Sequence, residues 1–136
     1  MQLNAGAIAY WREFEPGRDK FIYILGKTQS GEVLSFTISS QEKYLKMEPH
    51  KNEMVEIPRG TANYLERRSF IQCFFEVIRT PIVTFQDFER RGYINWRGQL
   101  PQFLAAVKVC VNNSELLSEY DREDVLAVMA GAAGDE

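Results

Sequence analysis

At 136 residues, 45 % hydrophobic and 26 % charged, the chain has the size and composition of one globular domain with a modest core. A net charge of -3 and a pI near 5.3 exclude a whole-surface attraction for polyanions, so any contact with nucleic acid requires a local basic patch. The apolar runs fall short of the roughly 20 residues of a membrane helix, and the N-terminus lacks the basic start and apolar core of a secretory signal, so the chain is expected to be soluble and cytoplasmic, with no membrane partner.

"AGAIAYW" and "KFIYILGK" are rich in aromatic and β-branched residues and flank "REFEPGRD", which predicts strand, loop, strand. "TQSG" at 28–31 joins the second run to "EVLSFTI" as a hairpin, with Gly31 free to take a positive φ. "EMVEIP" reads as a fourth strand ended by Pro58. "SFIQCFFEVIRT" reads as a fifth and longest one, apolar on both faces as a central strand would be. Beyond Pro81 the pattern turns helical: "TFQDFERRG" with Thr84 as N-cap and Gly92 as stop, then "QLPQFLAAVKVCVNN", whose Leu100, Phe103, Leu104, Val107 and Val111 share one face. "SELLSEYDREDVLAVMA" predicts a last helix capped by Ser114, and "GAAGDE" is expected to fray. The fold class is therefore α+β: a small, twisted antiparallel sheet or barrel of about five to seven strands, one helix packed on it and a further C-terminal helical segment.

Cys73 and Cys110 each sit inside an apolar run and read as buried small residues, a disulfide between them being the less favoured alternative in a cytosolic chain with core enough without one; with one histidine and no paired cysteine spacing, a closed zinc site lacks its ligands and no metal or cofactor is expected. No phosphate loop, dinucleotide fingerprint or hydrolase elbow is present. His50 sits among charges in a loop. What stands out is polar chemistry clustered around strand ends: Arg18 and Lys20 close the first loop, Ser39, Ser40 and Gln41 the third strand, Arg79 and Thr80 the fifth. If these ends met on one rim, two cations and a hydroxyl would suit a phosphodiester, the cations offsetting developing negative charge and the hydroxyl orienting a phosphate or a 2'-hydroxyl. The bland reading is of ordinary solvated strand ends.

From about Ala5 to Val111 the chain resembles the MazF/PemK toxins of bacterial toxin-antitoxin pairs. "ISSQ" at 38–41 is similar to the family's "ITxQ" or "TSQ" strand end, and "VEIP" at 55–58 to its "VEI" strand. "ERRSFIQC" is similar to a family strand start, and "VIRTP" at 77–81 to "QIRT(I/V)". "RGYINWRGQLPQFLAAVKVCV" lies where members carry a glycine and then their terminal helix. The resemblance implies an SH3-like barrel that forms a homodimer, is held by a cognate antitoxin protein and cleaves single-stranded RNA without metal. It assigns a catalytic role to Ser39, where members carry threonine, and to Lys20 or Arg18, where members carry an arginine followed by proline. Lysine supplies the charge but not the planar fork, Phe21 leaves the loop less constrained, and Asp19 between the two cations would compete for them. Gln41, Tyr44, Trp11 and Arg79 become candidate RNA-binding residues, the aromatics as stacking surfaces, with a structural role for Arg79 as the competing reading.

The resemblance divides the chain into a barrel domain over 1–113 and a helical extension over 114–136, the latter suited to an interface with a second copy or to covering the groove in cis. A non-catalytic binding module on the same scaffold is the alternative, because fold does not determine activity.

Overall fold

A computed structural model describes residues 3–74 and 76–134. Seven strands, β1 (Ala7–Glu15), β2 (Arg18–Lys27), β3 (Glu32–Ser39), β4 (Met54–Ile57), β5 (Ser69–Gln72), β6 (Ile78–Pro81) and β7 (Ile94–Gln99), pair antiparallel in the order β4-β5-β3-β2-β1-β7, with β6 also on β3. Three helices accompany them: α1 (Ile82–Arg90), α2 (Leu104–Asn112) and α3 (Glu119–Gly134). Among the described residues no ladder joins the two edge strands β4 and β7, so the sheet is open and does not close into a barrel. No helix among them is long and apolar enough to cross a membrane.

The central strands are apolar on both faces because both faces are covered. Tyr23, Leu25, Leu34, Phe36 and Ile38 point toward α2 and α3 and pack with Val107, Val111, Leu117, Val125 and Met129. Ala7, Ala9, Trp11, Ile22, Ile24 and Val33 point the other way, toward Phe85, Ile82 and Phe88 of α1. Each fully buried large side chain contributes about 1.5–3 kcal/mol, so these two layers carry most of the folding drive. Tyr23, buried, donates its hydroxyl to the Leu100 carbonyl at 2.8 Å, and burial pushes its phenol well above the ordinary range.

The expected fifth strand is interrupted. Ile38 faces Ile71 and Leu34 faces Arg79, so β3 advances four residues while its partner advances eight. The excess leaves the sheet after Gln72. There the Cys73 amide bonds the Glu53 carbonyl at 3.0 Å, and the Phe74 ring turns to Tyr44 and His50, at 4.8 and 4.9 Å. Aromatic packing outside the sheet thus wins over continued pairing, and the segment becomes β5 and β6.

Helix boundaries differ too. α1 begins at Ile82, not after Thr84, because the Ile82 amide is satisfied by the Gly31 carbonyl of the β2–β3 turn at 2.8 Å rather than by a hydroxyl. Its end is as expected: Gly92 at φ +81, with the Tyr93 amide reaching the Phe88 carbonyl at 2.8 Å. The following "INWRGQ" forms β7 on the edge of β1, a strand that the sequence pattern did not separate from the approach to α2. Ser118, not Ser114, holds the first turn of α3 through the Asp121 amide at 3.1 Å. Ser114 instead accepts the Leu116 and Leu117 amides and donates to buried Glu53. α3 stays helical to Gly134, through much of the end expected to fray; residues 135 and 136 of that end lie outside the described residues.

The extension packs in cis. Where α3 crosses β2, Gly26 sits at φ +141 and a Cβ there would come within 2.6 Å of Val128 Cγ1. Gly26→Ala is therefore expected to lower the unfolding midpoint, through backbone strain and displacement of α3. Gly131→Ala, in the same helix with open space around it, is expected to be neutral or to stabilise by up to about 1 kcal/mol. Denaturant unfolding of the two variants checks this; equal midpoints would contradict the close packing of α3 on β2.

Candidate functional site

The β2–β3 ladder pairs Phe21 with Ile38, Ile22 with Thr37 and Tyr23 with Phe36. One further step of the same register sets Lys20 opposite Ser39. Directly opposed residues share a face, with Cβ atoms about 5 Å apart, and alternation from Ile22 and Ile24 puts both on the α1 face of the sheet. The row extends on each side: Trp11 pairs with Lys20 and with Ile94, Ser39 with Phe70, and Phe70 with Glu56. A single line of side chains, Ile94, Trp11, Lys20, Ser39, Phe70 and Glu56, crosses six strands.

Its two ends are closed differently. At the β1 end, Trp11 is buried between Phe14 and Phe88, ring centroids at 5.0 and 5.8 Å, so α1 roofs it. At the β4 end, the Arg68 guanidinium lies 5.0 Å over the Phe70 ring and donates to Glu56 at 2.8 Å. The Arg68 hydrogen bond holds the Glu56 carboxyl below its ordinary range. Between these lids stand half-buried Lys20 and Ser39, the latter 9 % exposed. The Ser39 hydroxyl oxygen accepts the Gln41 amide at 3.1 Å, which fixes the oxygen and leaves its proton to donate. Thr37, two residues back on the same face, has its proton committed to Gln72 Oε1 at 2.9 Å. Beyond Ser39 a cleft of about 720 Å³ opens, lined by Ser40, Glu42, Arg59, Glu66, Arg67 and Arg68.

The other sequence candidates scatter. Arg18 is exposed at the tip of the β1–β2 hairpin, paired with Glu15. Gln41 is exposed just past β3. Tyr44, in a short 3-10 turn over Lys43–Lys46, stacks on His50 at 5.4 Å and 17°, against Phe74 and under the Lys43 ammonium. Arg79 does not join the row. It sits opposite Leu34, on the other face and five residues down β3, about 17 Å from the level of Ser39. Its guanidinium bonds Asp124 at 2.6 Å and Asp121 at 2.8 Å, lies 3.6 Å from Glu32 and stands over the Tyr120 ring at 4.6 Å. Burial works against its charge, but these carboxylates more than offset that and raise its pKa. Arg79 thereby clamps α3 to the sheet.

Asp19 does not draw on the cations beside it. It accepts the Tyr10 hydroxyl at 2.5 Å and the Glu13 amide at 2.9 Å, and the Tyr10 hydrogen bond above all lowers its pKa. Arg68 and Glu56 were not among the sequence candidates. "ERRSFIQ" displays the arginine pair, but only the β3–β5 pairing, which sets Phe70 opposite Ser39, brings Arg68 to the row.

Among the described residues no three His, Cys, Asp or Glu side chains gather to hold a metal ion. No family model, curated protein or solved structure matches the chain.

Asp19→Asn tests the hairpin. The Asp19 carboxylate raises the Tyr10 pKa, so the variant should titrate Tyr10 at lower pH, read by ultraviolet absorbance. Because the folded-state pKa of Asp19 is lowered, its stabilisation is present above the unfolded carboxylate value and is lost as pH falls through the folded one; the two proteins should converge in stability in acid. An unchanged tyrosine titration would contradict the pairing.

Proposed function

We propose that the chain is a MazF/PemK-like endoribonuclease that cleaves single-stranded RNA without metal, acting as a homodimer in the cytoplasm and bound by a cognate antitoxin protein. The observation that carries this reading is the β2–β3 register, with Phe21 opposite Ile38, whose next step brings Lys20 and Ser39 side by side on one sheet face.

A phosphodiester laid across the row meets a primary ammonium on one side and a fixed hydroxyl on the other. The Ser39 proton is donated to a non-bridging oxygen, and the Lys20 ammonium opposes the charge that grows there as the phosphorus becomes five-coordinate. The 2'-hydroxyl of the preceding nucleotide attacks the phosphorus and gives up its proton to solvent. The bond to the 5'-oxygen breaks and that oxygen is protonated, leaving a cyclic phosphate and a 5'-hydroxyl. Arg68, past Phe70, offers a second cation in the direction of the arginine-bearing cleft, where a neighbouring phosphate of the strand would run. Lysine in place of a guanidinium binds the phosphate as a point charge rather than a fork, which favours a slow enzyme over an inactive one.

One observation favours a second reading, a non-catalytic binding module. A serine that accepts the amide two residues on is a common strand terminator, and Ser39 does this.

Purified protein incubated with a single-stranded RNA pool and a chelator separates the two. The nuclease reading requires cyclic-phosphate ends, a loss of about 100-fold for Ser39→Ala and for Lys20→Ala, and retained or higher activity for Lys20→Arg. RNA that is retained on the protein but stays intact gives the binding module, and equal cleavage by Lys20→Ala and the parent protein overturns the assignment of the site.

A further inference from the structure

The two cysteines, separated by 36 residues of chain, meet in space. Cys73, fully buried, occupies the turn where the chain leaves β5; its sulfur lies 3.8 Å from the Ile71 carbonyl. Cys110, half-buried on α2, directs its sulfur at the Asn52 and Met54 carbonyls, 3.8 and 3.9 Å away. The Cys73 amide bonds the carbonyl of Glu53, the residue between those two. Both cysteines thus border the entry to β4, near enough for each thiol to shift the other's titration, Cys110 down and Cys73 up. Both are free.

We propose that Cys73 and Cys110 form a reversible dithiol switch, with Cys110 the site of attack on small-molecule disulfides and Cys73 the resolving thiol, closing a bond that ties α2 to the end of β5. The division of labour follows from exposure and polarity. Cys110 is the half-buried one of the two, and the neighbouring Cys73 thiol lowers its pKa. Cys110 and burial both raise the Cys73 pKa, and Cys73, fully buried, is shielded from outside reagents. In the first step the Cys110 thiolate attacks one sulfur of a low-molecular-weight disulfide, forming a mixed disulfide and expelling one small thiolate. In the second, Cys73 gives its proton to that thiolate or to solvent and attacks the Cys110 sulfur, expelling the second small thiol. Two protein thiols are oxidised to one disulfide while one small disulfide is reduced to two thiols.

The switch adjoins the proposed nuclease row without depending on it. Gln72, next to Cys73, holds the Thr37 hydroxyl two residues from Ser39, so the cross-link fixes the segment behind that strand end. Its test needs no activity.

Full-length protein is incubated under native conditions with oxidised glutathione and read by intact mass and by non-reducing peptide mapping. The parent chain should lose two hydrogens, retain no glutathione and yield a Cys73–Cys110 peptide pair that dithiothreitol separates. Cys73→Ala should stop at a stable glutathione adduct on Cys110, and Cys110→Ala should not react. Cross-linking of the parent chain should be about tenfold or more slower in urea, where proximity is lost. A parent chain that keeps glutathione, links only to a second chain, or remains reduced while folded overturns the proposal. Should Cys73→Ala fail to fold, the map of the parent chain decides alone.

Discussion

Everything in this fold is positioned by the pairing of β3. On one edge it pairs with β2 from Val33 to Ile38; on the other it takes β6 beside its first half and β5 beside its end. Because side chains alternate, a slip of one residue in the β2 ladder would exchange the two faces of the sheet. Tyr23 and Leu25 would meet α1, and Lys20 would turn toward α2 and α3. Burial of large apolar side chains on both faces makes that exchange costly, so the register is fixed by the core, and the Lys20–Ser39 neighbour relation is inherited from it.

Two faces with different coverage follow. One is filled by α2 and α3, with the Arg79 clamp at its rim, so the C-terminal extension covers the face opposite the polar row. The other is covered only in part. α1 is nine residues long and packs against β7, β6, β3 and Trp11 of β1, leaving the Lys20, Ser39 and Phe70 portion to polar side chains. An arginine on an aromatic ring, a paired carboxylate and an amide-anchored hydroxyl take the place of a second apolar helix there. Polar groups are tolerated at that position because they are paired or half-exposed.

Local patterns were legible wherever a single residue type does the work. The Gly31 turn, the Gly92 stop, the alternating "EMVEIP" strand and the helical face of Val107 and Val111 all lie as the sequence implies, whereas the loop expected over 12–19 shrinks to a turn at Pro16-Gly17 between two continuing strands. What failed were places where a distant partner decides. The break after Gln72 depends on Phe74 finding Tyr44 and His50, and the start of α1 depends on a carbonyl at Gly31. β7 is half-polar because it is an edge strand, and neither alternation nor propensity marked it. The site divided in the same way. Lys20 and Ser39 stand out in the sequence itself as a cation and a hydroxyl at strand ends, whereas Arg68 joins their row only through strand order. The Arg79 carboxylate partners come from α3, more than 40 residues later.

The central claim is that Lys20 and Ser39 are neighbours on one face and meet the same ligand group. Heteronuclear NMR on the folded chain tests it directly, with a short single-stranded RNA carrying blocked 2'-hydroxyls as the titrant. Cross-strand contacts between the Lys20 and Ser39 side chains, with both residues and Arg68 shifting together at one saturation midpoint while Arg79 stays fixed, are the result this account requires. Contacts that place Lys20 with Tyr23 and Phe36, on the opposite face, or shifts confined to Arg79 and α3, would contradict it.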